Sequence, residues 1–214
     1  MTLAAVIFDL DGTLVDSADD IAEAVNRLYD ALALPRVDAA TVRGWIGEGV
    51  SALVTTALAH AGAQQPLEQA LPVFMRHYHA CLLRSPRLYP GVAQALESLR
   101  AAGLPLAICT NKPVDLVPPL LAHLGLDGVF GVIIGGGSLP QRKPDPAPLL
   151  ACAAALQVPV AQCLMVGDSA SDHDAAVAAG MPLALVRYGY PRGLDLAANA
   201  AGWVIDDLRQ LPLP

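Results

Sequence analysis

An uninterrupted apolar run, Ala4-Ala5-Val6-Ile7-Phe8, stops at Asp9-Leu10-Asp11-Gly12-Thr13, two carboxylates on alternate positions followed by a glycine. The run is too short and too rich in β-formers for a helix, so it predicts a fully buried strand. In an open α/β sheet, ligands bind just beyond the carboxyl ends of the strands, which is where Asp9 and Asp11 stand. Two carboxylates so close repel each other unless a cation or proton intervenes. Mg²⁺ suits them, because it takes hard oxygen ligands and keeps positions open for phosphate. Taken alone, the five residues also fit an acidic turn, since Asp-Gly is common turn chemistry. The rest of the chain decides between the two.

After Thr13 the pattern turns helical. Ser17 is placed to cap a helix on which Ile21, Val25, Leu28 and Leu32 recur at helical spacing. Asp19, Asp20 and Glu23 suit its start electrostatically. Further helices are expected over about 38–45, 50–61 and 67–83, with no strand-like run between Val15 and Pro86. From Pro90 the rhythm changes. Helices are expected at about 91–102, up to Leu124, at 146–156 and at 171–179, alternating with strands at 105–109, 132–134, 164–166, 183–186 and 204–205. Such alternation means βαβ units and a parallel sheet with right-handed crossovers. The expected architecture is therefore a Rossmann-like α/β core, residues 1–15 and 87–214, with an all-helical insertion over 16–86.

The later strands also end in polar residues: Thr110-Asn111, Lys143-Pro144 after the following loop, and Gly167-Asp168-Ser169-Ala170-Ser171-Asp172. In a doubly wound sheet these ends converge on one edge. The set is the one that phosphoryl transfer through an aspartyl phosphate requires. One carboxylate can act as nucleophile. A second can protonate the leaving oxygen and then activate water. A cation and a lysine offset charge on the transferring oxygens, and a hydroxyl holds the phosphate in line.

With its four motifs in order, the chain resembles the phosphatase branch of the haloacid dehalogenase superfamily, over its whole length. The resemblance implies a cap domain inserted after the first strand. It implies Asp9 as nucleophile, Asp11 as general acid and base, and Gly12, Thr110, Asn111 and Lys143 around the phosphate. It also implies Mg²⁺ held by Asp9, Asp168 and the main-chain carbonyl of Asp11, with Asp172 in support. Asp11 separates the chain from the dehalogenases proper, which lack that carboxylate. Ile21 stands near where the sugar phosphomutases have a histidine.

Within the superfamily, Asp16–Asn26, Trp45–Gly49, Leu88–Val92, Thr110–Pro113 and Tyr188–Tyr190 resemble the bacterial phosphoglycolate phosphatases. The implied substrate is a small phosphomonoester, 2-phosphoglycolate. Another phosphatase, for a sugar phosphate such as N-acetylmuramate 6-phosphate, a pyrophosphatase and a catalytically silent binding module remain as alternatives. Gly47 and Gly49 can bring a cap loop close to a small substrate, and Lys112, Arg43 and Arg187 are candidate cations for its carboxylate. Three positions depart from the expected pattern: Glu48, Gly137 and His173. A negative charge at Glu48 would oppose a carboxylated substrate.

Composition narrows the partners. A net charge of −7 with pI near 5.0 argues against nucleic acid or an anionic membrane surface. No apolar stretch reaches spanning length, and Asp9 interrupts the N-terminal run before it resembles a signal peptide. The four cysteines show no metal spacing and read as reduced, small hydrophobes. A cytoplasmic location is expected, and the oligomeric state is left open.

Overall fold

The computed structural model describes residues 3–196 and 202–212. The chain begins with β1 (Ala5–Phe8) and β2 (Val15–Asp16), followed by four helices: α1 (Ala18–Ala31), α2 (Ala39–Arg43), α3 (Val50–His60) and α4 (Leu67–Cys81). Next come β3 (Arg87–Leu88), α5 (Val92–Ala101), β4 (Leu106–Pro113), α6 (Val117–His123) and β5 (Val132–Gly136). The described chain finishes with α7 (Ala147–Leu156), β6 (Cys163–Gly167), α8 (Ala170–Ala179), β7 (Leu183–Val186) and β8 (Gly202–Ile205).

Six strands form one parallel sheet in the order β5-β4-β1-β6-β7-β8. The chain lays β4 and β5 to one side of β1, then returns to place β6, β7 and β8 on the other. The strand order thus reverses around β1, and a crevice opens at the carboxyl ends of β1, β4 and β6. Period-two alternation builds a core on each face of the sheet. Val6, Phe8, Ile108 and Val166 join the apolar faces of α1 and α3–α6 in one cluster. Ala5, Ile7, Cys109 and Met165 pack against α7 and α8 in the other.

Between the short antiparallel strands β2 and β3 the only regular elements are helices. There α1 packs on α4 and α2, and α3 packs on α4. Ile21, Val25 and Leu28 are buried on one face of α1, as their spacing predicts. The β2–β3 pairing itself, two residues a side, is too short to leave a periodic signal in the sequence.

Two expectations change. Ser17 precedes α1, but its side chain makes no cap bond there; its hydroxyl donates instead to Asp11 Oδ1 at 2.6 Å. The strand expected at 105–109 runs on to Pro113, because β5 continues beside it with a register shift that sets Pro113 opposite Gly136. No helix of the described residues is long and apolar enough to cross a membrane. All four cysteines are buried free thiols.

Candidate active site at the carboxyl edge of the sheet

Asp9 follows β1, Thr110 lies in β4 and Asp168 follows β6, and these three strands are neighbours. Lys143 reaches in from the loop between β5 and α7. Its ammonium donates to the Cys109 carbonyl oxygen at 2.6 Å and to Asp172 Oδ1 at 2.6 Å. The same nitrogen lies 3.0 Å from Asp9 Oδ1, yet without hydrogen-bond alignment, so that buried oxygen has no hydrogen-bond partner. Lys143 is therefore an electrostatic neighbour of Asp9, held chiefly by Asp172 and a main-chain carbonyl.

Asp172 is fully engaged. Its Oδ2 accepts from the Asp168 and Ser169 main-chain N–H groups at 3.1 and 3.0 Å and from the Ser169 hydroxyl at 2.7 Å. It sits in the first turn of α8, where a carboxylate also meets the positive end of the helix. Asp168 accepts from Thr13 Oγ1 at 2.6 Å and from the Tyr190 main-chain N–H at 2.6 Å. Gly12 makes this approach possible. Its φ is +94°, and a Cβ there would overlap the Asp168 carboxylate.

Asp9, Asp168 and Asp172 are all buried, and one oxygen from each lies within 4.8 Å of the others. Burial, against the pull of Lys143 and with the push of Asp172, raises Asp9 to about 6. Burial, Asp172 and Asp9 hold Asp168 well above the usual carboxylate range. Burial works against the charge on Lys143, but Asp172 and Asp9 outweigh it, so the lysine stays cationic. Three carboxylates around one ammonium leave a deficit of positive charge, and the donors are hard oxygens. The cluster fits a divalent metal ion, with Asp9 and Asp168 better placed to offer oxygens than Asp172.

Asp9, Asp11, Thr110, Asn111 and Gly47 border a cavity of about 40 Å³ between the sheet edge and the helical segment. Ile21, Ile46, Val50 and Leu53 line it from the helices. On a regular strand successive side chains face opposite ways. The register shift in β4 lets four consecutive residues, Thr110 to Pro113, border the cavity. Asn111 ties the two sides together: its amide donates to the Gly47 carbonyl oxygen at 2.9 Å and the Lys143 carbonyl oxygen at 2.8 Å. Gly47 takes φ +129° in that loop, a conformation L side chains rarely adopt.

Several participants were not singled out as site residues, and Tyr78 lies outside every motif. Thr13, Ser17, Tyr78 and Tyr190 hold Asp168, Asp11, Lys112 and Asp16 respectively. Thr13 sits inside the first motif and Ser17 close behind it, but their partners are fixed only by folding. Lys112, one of three cations considered for a substrate carboxylate, donates to both Asp11 oxygens, at 3.0 and 3.1 Å. Of the departures, Glu48 pairs with Arg192 at 3.2 Å and does not border the cavity. His173 pairs with its neighbour Asp174 at 2.8 Å, and Gly137 has open space around it.

The comparisons agree with this geometry. The haloacid dehalogenase-like hydrolase family model matches residues 3–180. A phosphoglycolate phosphatase of Cupriavidus necator is 45% identical over 97% of this chain and 91% of its own. One from Colwellia psychrerythraea is 41% identical over 96% of this chain and 94% of its own. The crystal structure of a predicted phosphoglycolate phosphatase from Haemophilus somnus 129pt superposes with a TM-score of 0.90 at 35% identity, covering 97% of this chain and 96% of that one. Sheet order, buried carboxylate cluster and sequence match converge: the chain belongs to the haloacid dehalogenase-like hydrolases.

Proposed function

We propose that the protein is a Mg²⁺-dependent phosphatase of small phosphomonoesters, with 2-phosphoglycolate as substrate. The observation that carries the reading is Asp9 Oδ1, buried, free of hydrogen bonds and beside Lys143, on a carboxylate that borders the cavity. The Asp9 carboxylate is therefore not committed to holding the fold.

In this reading an Asp9 oxygen forms a bond to phosphorus as the ester P–O bond breaks. Asp11 gives its proton to the departing alkoxide. Asp11 then takes a proton from water, whose oxygen attacks phosphorus, and the Asp9–phosphorus bond breaks to release orthophosphate. Thr110, the main-chain N–H groups beyond β1 and Lys143 hold the phosphoryl oxygens, while Asn111 fixes the loops that carry Gly47 and Lys143. Asp9, Asp168 and the Asp11 carbonyl would hold Mg²⁺, which when bound supplies positive charge against the phosphoryl oxygens. Thr13 and Tyr190 orient Asp168 for that task, and Asp172 keeps Lys143 in place.

Residues 16–86 act as a cap over a core of 1–15 and 87–214. The cap supplies apolar walls that exclude water during transfer. The substrate itself rests on the relatives, which are named phosphoglycolate phosphatases.

Phosphate release from 2-phosphoglycolate, N-acetylmuramate 6-phosphate and pyrophosphate tests this, with and without Mg²⁺ and with Asp9→Asn as blank. Mg²⁺-dependent release with the highest kcat/KM on 2-phosphoglycolate is expected. No release above the blank from any of them would leave a silent binding module.

A further inference from the structure

The cavity has one basic residue on its lining among the described residues, Lys112. Its side chain is only 1% exposed, and burying a charge at that depth is costly unless partners are supplied. They are supplied from both sides: the Asp11 oxygens at 3.0 and 3.1 Å, the Tyr78 hydroxyl of α4, and the Tyr78 ring face, 4.7 Å from nitrogen to centroid. Among the other cations near the site, Arg192 keeps one buried nitrogen without a hydrogen-bond partner beside the Gly47 loop, and the rest are committed elsewhere. Lys143 is held by Asp172 and Cys109. Arg43 pairs with Asp16 at 3.1 Å and lies over the Tyr190 ring, and Arg187 pairs with Asp206 at 3.2 Å in an exposed position. Glu48, which would repel a carboxylate, is paired with Arg192.

We propose that Lys112 is the specificity-determining cation, binding a carboxylate on the alcohol side of the phosphoester while it holds Asp11 beside the ester oxygen. The proposal rests on the phosphatase reading above. An ammonium has three donors, and two of its directions now fall on the single carboxylate of Asp11. One suffices to hold Asp11, so another can turn to an incoming carboxylate without breaking the pair. The walls around it are Ile21, Ile46, Val50 and Leu53, and charge pairs gain strength in such low-dielectric surroundings. A neutral alkyl group in the same place gains only contact with those walls.

The test compares 2-phosphoglycolate with ethyl phosphate, nearly the same size but without the carboxylate, in the wild-type chain, Lys112→Met and Lys112→Arg, all with Mg²⁺. The wild-type preference in kcat/KM should be about 100-fold, the scale of one buried charge pair. In Lys112→Met it should shrink to within about threefold, mostly through KM for 2-phosphoglycolate, and Lys112→Arg should restore part of it. If Lys112→Met slows both esters by the same factor, Lys112 only positions Asp11 and the proposal fails. A measurement free of variants guards against misfolding. Phosphonoacetate should inhibit the wild-type chain at least about tenfold more tightly than ethylphosphonate, and equal inhibition would overturn the proposal. Equal turnover of both esters sinks the role of Lys112 and leaves the phosphatase reading standing. Release from neither ester removes that reading and this proposal together.

Discussion

At Asp9, burial and a neighbouring carboxylate raise the group to about 6 in the metal-free protein, while the proposed chemistry needs it ionised. Asp9→Asn should abolish that chemistry, lowering phosphate release by at least about 10³-fold. Above about pH 6 the same change removes a buried, poorly partnered charge, so there it should not destabilise the metal-free fold. Gly12 is a different kind of residue. With φ +94° and the Asp168 carboxylate where a Cβ would go, Gly12→Ala should lower stability by roughly 2 kcal/mol or more, read from urea denaturation. It should also displace Asp168 and weaken Mg²⁺ dependence, which a titration of activity against Mg²⁺ would report.

Among the elements, the irregular end of β4 and the loop from Gly47 to Gly49 form the seam between sheet and helices. Asn111 is its tie, with one amide serving both the Gly47 and Lys143 carbonyls. Asn111→Ala leaves both acceptors without this donor and should raise KM more than it lowers kcat, by about tenfold. The Glu48–Arg192 pair lies across the same seam, but its Glu side chain is 51% exposed, and exposed pairs contribute little. Glu48→Asn should therefore change KM for 2-phosphoglycolate by no more than about threefold and leave thermal stability within about 1 kcal/mol. A large gain in affinity would mean that Glu48 does act on the substrate after all.

For the whole molecule, the carboxylate cluster makes stability depend on pH and metal together. Asp9 moves from an ordinary 3.8 to about 6 on folding. A raised pKa contributes stability fully below about pH 4 and loses it as pH rises through about 6, a difference of roughly 3 kcal/mol for this group. Asp168 shifts in the same direction. In EDTA, the Tm of Asp9→Asn should overtake that of the wild-type chain as pH rises from 4 to 7, by about 5–10 °C. Mg²⁺ should close or reverse that gap by favouring the ionised cluster. Parallel melting curves across this range with and without metal would show that no cation binds the cluster.

Much of this was legible in the sequence because it is local. Short apolar runs ending in Asp9, Thr110 and Asp168 gave the strands and their polar tips, and strand–helix alternation gave the parallel sheet. Helical periodicity marked the segment between β2 and β3. The four motifs, by resemblance, pointed to the set that includes Lys143 and Asp172. The pairings were not legible, since they join residues far apart in the chain. Nothing in the sequence says that Lys112 meets Asp11 and Tyr78, or that Thr13 meets Asp168 across 155 positions. Ser17 read as a helix cap, but its oxygen accepts no main-chain N–H of α1, and its hydroxyl donates to Asp11. Glu48 read as a repulsive charge until folding set Arg192 beside it. Backbone propensity and apolar period, both local, set the elements and the chemical groups they carry. Which charges meet was settled by folding alone, because burial and proximity, not residue type, set which ammonium balances which carboxylate.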